Sequence, residues 1–210
     1  MNDTIVSLGR RFARVATRAV VSRPALWRLF RSPVRKQFDL LAPQWERMSS
    51  NAPVALAAAL DRLQTPPRLA LDIGTGTGKG AQLVAERFPE VDVVGVDLAP
   101  SMVGEAVRLL PPELAARVRF EVADASELPF PGAAFDLVVL LNMIPFFPEL
   151  GRVTAPGGTL VVVHGAGPST PIWTPAETLR EKLAPAGFGD FEELAEGGGT
   201  ALLARKAKPE

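Results

Sequence analysis

Along the first third of the chain, apolar positions recur at helical spacing. Within residues 1–21, Ile5, Leu8, Phe12, Val15 and Ala19 fall on one stripe while Arg10, Arg14 and Arg18 line another. This predicts an amphipathic helix buried along its apolar side. "SRP" at 22–24 and "SP" at 32–33 each set a serine ahead of a proline, the order of a cap and a first helical turn. Helices are therefore expected over 24–31 and 33–48. A further helix over 52–63 ends before "TPPR" at 65–68, a proline-rich linker. The expected division is a helical extension over 1–65 and a main domain over 66–210.

From Leu69 the pattern changes to short, continuous apolar runs alternating with helix-length segments. The runs are "LALDI" 69–73, "VDVVGVD" 91–97, "VRFEVAD" 118–124, "FDLVVLLN" 135–142 and "GTLVVVHG" 158–165. Their unbroken apolar character suits strands buried on both faces of a parallel sheet. Helices are expected at 79–88, 100–110 and 145–153. "TPAE" at 174–177 reads as a capping box opening a helix to 185. The end, "FGDFEELAEGGGTALLARK", reads as two strands joined by a glycine-rich turn. The expected fold is α/β and doubly wound: a mostly parallel, seven-stranded sheet ending in an antiparallel hairpin, with an N-terminal helical extension.

Composition narrows the chemistry. With no cysteine there is neither a disulfide framework nor a thiolate nucleophile or metal ligand. With no tyrosine there is no phenolic acid, and a single histidine, His164, excludes multi-histidine zinc sites. No metal is therefore expected. Net charge is zero but uneven: residues 1–50 hold ten Arg/Lys against three Asp/Glu, and the rest 13 against 20. A basic head on an acidic body suggests an anionic partner or lipid surface for residues 1–21, self-association as a homodimer, or docking on the chain's own body. The N-terminus lacks the compact apolar core of a signal peptide, so the expected location is cytoplasmic, with membrane periphery as an option through the basic helix.

The chemistry concentrates in "LDIGTGTGKG", residues 71–80. Glycines at a strand's carboxyl end let a ligand approach backbone N–H groups. The dinucleotide fingerprint is G-x-G-x-x-G, whereas here Gly74, Gly76 and Gly78 run G-x-G-x-G and the third fingerprint position is Lys79. Asp72 stands two residues before Gly74. A carboxylate there would repel a pyrophosphate but attract the ammonium of S-adenosylmethionine (SAM). Asp97 ends the second strand and can accept from ribose hydroxyls. Asp124 ends the third and can accept from an adenine amino group, and Met102 can pack on the adenine face.

"LDIGTGTG", "GVDLAPSM", "ADASELPFP" and "FDLVVLLN", in this order, resemble class I SAM-dependent methyltransferases of the Rossmann-like fold. They are closest to the small-molecule branch that includes ubiquinone/menaquinone-biosynthesis enzymes. "FDLLAPQWE" at 38–46 resembles that branch's preceding motif, with Trp45 as the aromatic near the cofactor. The resemblance implies that Asp72, Gly74 and Gly76 hold the methionine end and Asp97 the ribose. Leu98 and Met102 then flank the adenine, Asp124 takes its amino group and the Ala125 N–H its ring nitrogen. Asn142 starts the acceptor-side loop "NMIPFF", which contains Phe146. Enzymes that methylate nucleic-acid amino groups carry Asn/Asp-Pro-Pro-aromatic there, so no nucleic acid is expected.

The expected activity is methyl transfer from SAM to a small-molecule acceptor, apolar or anionic, releasing S-adenosylhomocysteine. Two other readings stay open: a SAM-binding regulatory or partner subunit without transfer, and an NAD(P)-dependent dehydrogenase. His164, at the end of the fifth strand, is the candidate base, against an ordinary structural role. Trp45 and Trp173 are candidates for substrate contact, against plain core or lid packing, and Asn142 and Phe146 are candidates for the substrate side.

Overall fold

The computed structural model describes residues 3–48 and 53–208; the side chains of residues 3–8 and 48 lie outside that description, and with them Ile5 and Leu8 of the expected stripe. The start of the helix expected from 52 falls outside it too. The helices α1 (Asp3–Ser22), α2 (Trp27–Leu41), α3 (Trp45–Met48) and α4 (Val54–Leu60) precede the sheet. Strands and helices then alternate: β1 (Leu69–Ile73), α5 (Lys79–Arg87), β2 (Asp92–Asp97), α6 (Pro100–Leu109), β3 (Val118–Val122), β4 (Phe135–Leu141), α7 (Phe147–Val153) and β5 (Thr154–His164). Helix α8 (Ala176–Leu183) leads to the hairpin of β6 (Phe188–Glu196) and β7 (Gly199–Lys206).

The seven strands lie in the order β3-β2-β1-β4-β5-β7-β6. Strands β1 to β5 pair in parallel, and β7 runs antiparallel to both β5 and β6. Register sets the two faces. Leu71, Val138 and Leu160 stand abreast, as do Ala70 and Leu137 one residue earlier. The first set, with Ile73, Leu140 and Val162, meets α7 and α8 through Leu150, Leu179 and Leu183, and the N-terminal helices through Val20 and Trp27. The second set, with Val139, Val161 and Val163, meets α4 and α5 through Leu56, Leu60 and Val84. Each fully buried aliphatic side chain contributes roughly 1.5–3 kcal/mol, so the period-2 pattern holds this register firmly. The order in which successive strands are laid down reverses between β1 and β4, which places the carboxyl end of β1 at the switch point where such sheets bind ligands.

Several local expectations are corrected. The break at 32–33 is absent: α2 runs through Pro33. Trp27, Phe30, Val34 and Phe38 share its inner face and pack on the body, while Pro33 is exposed. Burial of that face outweighs the roughly 3 kcal/mol that an internal proline costs. Helix α1 is rotated relative to the expected stripe. Ala16, Thr17 and Val20 are buried and Val15 is 60% exposed. The small side chains allow close approach, and the Thr17 hydroxyl donates to the Ala13 carbonyl at 2.8 Å, so nothing polar is stranded. The capping box at 174–177 is not formed. Pro175 precedes α8, and Thr174 turns inward, its hydroxyl buried without a partner. Strand β5 starts four residues early, with an irregularity opposite Phe135 and Leu137. Helix α4, assigned to the extension on sequence, is packed against β7 and β6 as part of the body.

Candidate functional site

The loop after β1 turns through three left-handed glycines, Gly74 (φ 72°), Gly76 (φ 55°) and Gly78 (φ 89°). L-residues rarely hold this conformation, so three in alternation require glycine. The loop is tied to the next strand: the N–H groups of Gly74 and Thr75 donate to the Val96 carbonyl at 2.8 and 2.9 Å.

Asp72 lies beneath this loop, 1% exposed. Its Oδ2 accepts from the Thr75 hydroxyl at 2.6 Å and from the Ala81 N–H, in the first turn of α5, at 2.9 Å. Its Oδ1 is buried with no hydrogen-bond partner. A Cβ on Gly80 would come within 2.8 Å of this carboxylate, so the helix start is kept bare to admit it. Burial pushes the Asp72 carboxyl up to about 6, against the hydrogen bonds from Thr75 and Ala81.

Asp97 is fully engaged. One oxygen accepts the Gly76 N–H and the other the Ala99 N–H, both at 2.9 Å. It clamps the glycine loop to the turn into α6, and burial raises its pKa. Asp124 is also occupied. Its Oδ1 accepts from the Trp27 indole at 2.8 Å and from the Ser126 N–H and hydroxyl at 2.9 and 2.7 Å, and Arg31 stands 3.9 Å from Oδ2. The loop beyond Asp124 is buttressed from α7. Glu149 accepts the Leu128 N–H, and Arg152 donates to the Leu128 and Phe130 carbonyls. Hydrogen bonding to Arg152 holds the Glu149 carboxyl below its usual range.

The remaining expected residues surround the same strand ends. Met102 is buried beneath Ala42, Phe38 and Trp45, while Leu98 and Ala125 pack into the main core. The Trp45 indole nitrogen would lie 3.6 Å from a Cβ on Gly76, so that ring sits against the loop. Asn142 is exposed, at a left-handed φ of 55°, and its side-chain oxygen accepts the Gly165 N–H at 2.8 Å, bridging the ends of β4 and β5. Strain of this kind at a strand end gathers at ligand sites. Phe146 is buried, edge-on to Trp27 at 5.3 Å.

His164 is placed apart from this group. It is 2% exposed, edge-on to Trp173 at 4.8 Å, and its Nε2 accepts the Thr174 N–H at 3.4 Å. Burial lowers its pKa to about 4, with the Ile172 backbone pulling the other way. The small cavity it lines, with Trp173, Thr174, Leu179 and Glu193, includes no residue of the glycine loop.

Four contributors escaped the sequence reading. Trp27 takes up Asp124. Glu46 accepts from the Thr77 hydroxyl at 2.5 Å and pairs with Lys79 at 2.9 Å. Met143 lies so close to Gly74 that a Cβ there would stand 2.7 Å from its sulfur. Phe120 fills the space that side chains on Gly78 and Gly95 would need. All are long-range contacts, and only the acid at 46, next to Trp45, offered a local hint.

The chain is similar to known proteins in sequence and in fold. Residues 70–158 match the family model described as a methyltransferase domain. The chain is 33% identical over 150 residues to the demethylmenaquinone methyltransferase of Deinococcus radiodurans, covering 65% of this chain and 62% of that protein. It is 39% identical over 103 residues to the trans-aconitate 2-methyltransferase of Methylobacterium radiotolerans, covering 46% and 37%. The chain thus spans less than two thirds of the length of these relatives. Among solved structures, the [4+2]-cyclase SpnF superposes with a TM-score of 0.68 at 22% identity, over 84% of this chain and 96% of that one. Phosphoethanolamine N-methyltransferase 2 of Haemonchus contortus, in complex with SAM, gives 0.60 at 21%, over 73% and 52%. At these identities the structural likeness speaks for the fold alone.

Proposed function

We propose that this chain, similar to methyltransferases over residues 70–158, is a class I enzyme that transfers the methyl group of SAM to a small-molecule acceptor. The observation that carries the reading is Asp72, a buried carboxyl with one unpartnered oxygen behind three left-handed glycines. Such a group is costly unless a cation answers it. The cofactor's ammonium fits that need, and its carboxylate fits the N–H groups of the bare loop. Asp97 would hold the ribose and the Asp124 end the adenine, with Met102 and Leu98 on the ring faces and Trp45 closing over the loop.

Bound SAM supplies a methyl already activated by its sulfonium. The protein's part is to hold the acceptor in line and exclude water, and orientation alone is worth about 7–11 kcal/mol. An acceptor ionised at neutral pH needs no base. We assign His164 a packing role, because its Nε2 is taken by the Thr174 N–H and its cavity excludes the loop. The acceptor side is formed by Asn142, Met143 and Phe146 under the N-terminal helices. Aromatic side chains facing inward and arginines at the rim support an apolar or anionic acceptor.

Calorimetry with SAM, S-adenosylhomocysteine and NAD tests the cofactor. Binding of the first two and not the third is expected, and binding of NAD alone would end this reading. Labelled SAM offered with hydroquinones, aromatic alcohols and small carboxylates tests transfer.

A further inference from the structure

The two N-terminal helices form an antiparallel pair on the body. The rings of Phe12 and Phe30 are 6.0 Å apart, and a Cβ on Gly9 would meet the Gln37 side chain at 3.2 Å. The inner faces are buried through Ala16, Val20 and Trp27, with Phe30 and Val34 packed partly buried beside them. The outer faces differ in kind. Arg10, Arg11, Arg14, Arg18, Arg23, Arg28, Arg31, Arg35, Lys36 and Arg47 are all exposed.

The acids of this segment with described side chains turn inward. Asp39 accepts the Ser101 N–H at 3.1 Å, and Glu46 engages Thr77 and Lys79. Two of these cations are offset, Arg35 by Asp39 at 3.8 Å and Arg31 by Asp124 at 3.9 Å. Arg11, Arg14, Arg18, Arg28 and Lys36 have no ion-pair partner among the described residues. Within this cationic field stand Val15, Leu29 and Leu40, exposed by 60%, 65% and 79%. Arg11, Arg14, Val15 and Arg18 share one face of α1, and Leu29, Lys36 and Leu40 one face of α2.

We propose that this face docks on an anionic lipid surface, the helices lying flat with Leu29 and Leu40 entering the acyl boundary and the arginines at the headgroups. The chemistry is that of an interfacial amphipathic element: cations for the surface potential, separate large aliphatics for the apolar layer. A nucleic acid would use the cations alone and leave the leucines without purpose, and the aromatic that would stack on bases, Trp27, is buried. Spanning is not involved, since no helix among the described residues is long and apolar enough to cross a membrane.

The test is sedimentation of the full chain with phosphatidylcholine vesicles, with and without phosphatidylglycerol. It is read without cofactor or acceptor, so it succeeds or fails independently of methyl transfer. Binding is expected only to the anionic vesicles and should weaken steeply with salt. The triple variant R11Q/R14Q/R18Q should lower the partition coefficient about 100-fold, from about fivefold for each charge near the surface. L29N/L40N keeps the charge and should lower it at least about tenfold. Equal melting temperatures for these exposed-site variants show that the fold is kept. Absence of binding to anionic vesicles at low salt would overturn the proposal, as would an unchanged L29N/L40N. Tight binding of a single-stranded oligonucleotide that ignores the leucine variants would assign the face to nucleic acid instead.

Discussion

The carboxyl of Asp72 should make the ligand-free protein less stable as pH rises through the weakly acid range. Its pKa is about 6 in the folded chain and near 3.8 when solvated. The folded state therefore favours the protonated form. Below pH 3.8 the group is neutral in both states and costs nothing. Between 3.8 and about 6 the unfolded chain ionises first, and stability falls by about 1.4 kcal/mol per pH unit. Above 6 about 3 kcal/mol has been lost, a large share of the 5–15 kcal/mol typical of a domain.

Asp72→Asn removes this titration. The amide leaves one buried donor unpaired, at about 1–3 kcal/mol, so the net change at pH 7 is small. The decisive quantity is the slope. Chemical denaturation of both proteins from pH 4 to pH 7 should give a difference that grows by about 2.4 kcal/mol in favour of the variant. Contributions from other groups, the raised Asp97 among them, largely cancel in that difference. SAM should reverse the order. At 100 times its Kd it adds about 2.7 kcal/mol to the wild type and little to the variant, whose ammonium acceptor is gone. Parallel slopes would refute the buried-charge argument, and an unchanged SAM affinity would refute the ammonium assignment.

Trp27→Phe keeps the ring but removes the indole N–H from Asp124. Melting should show a loss of about 1.5 kcal/mol, while SAM affinity rises by up to about tenfold if the adenine amino group uses the same oxygen; a fall in both would contradict this. Asp97→Asn sets an amide against one of two backbone N–H groups. Calorimetry should show SAM binding weakened by at least about tenfold, with hydrogen exchange faster across residues 74–78. His164, held neutral with a pKa near 4 against 6.5 when solvated, contributes stability that is complete above 6.5 and lost as pH falls toward 4, about 3 kcal/mol in all. His164→Ala should lose that acid-side slope in denaturant titrations and still bind SAM.

The alternation of β1, β2, β4 and β5 was legible because strands buried on both faces are apolar at nearly every position, and the acids Asp72, Asp97 and Asp124 stood out against that background. What these acids do within the fold was not legible. That Asp97 clamps Gly76 and that Trp27 occupies Asp124 are contacts over 21 and 97 residues, and no local spacing encodes them. The rotation of α1 was missed because a stripe of small residues, Ala16 and Thr17 with Val20, scores below Val15 and Ala19 on hydrophobicity while packing closer. Ser32 and Pro33 look like the cap and first turn of a separate helix because a proline's cost is local, whereas the burial that carries α2 through it comes from the body.

The N-terminal helices are held unevenly, and under the proposed function the unevenness indicates how a ligand enters. At one end Val20 and Trp27 belong to the main core, and freeing them would expose apolar surface worth several kcal/mol. At the other, Ala42 is buried with only Ala99 and Met102, and Phe38 and Trp45 are partly open. Of the polar ties there, Asp39 to the Ser101 N–H and Glu46 to Lys79 are solvent-facing and worth about 1 kcal/mol or less each, and the Thr77 hydroxyl adds one part-buried hydrogen bond to Glu46. Residues 38–48 therefore lift at far lower cost than α1 or Trp27. That is the end lying over Gly76 and Met102, so the helical pair can stay docked by its core end while the cofactor groove opens beneath Trp45.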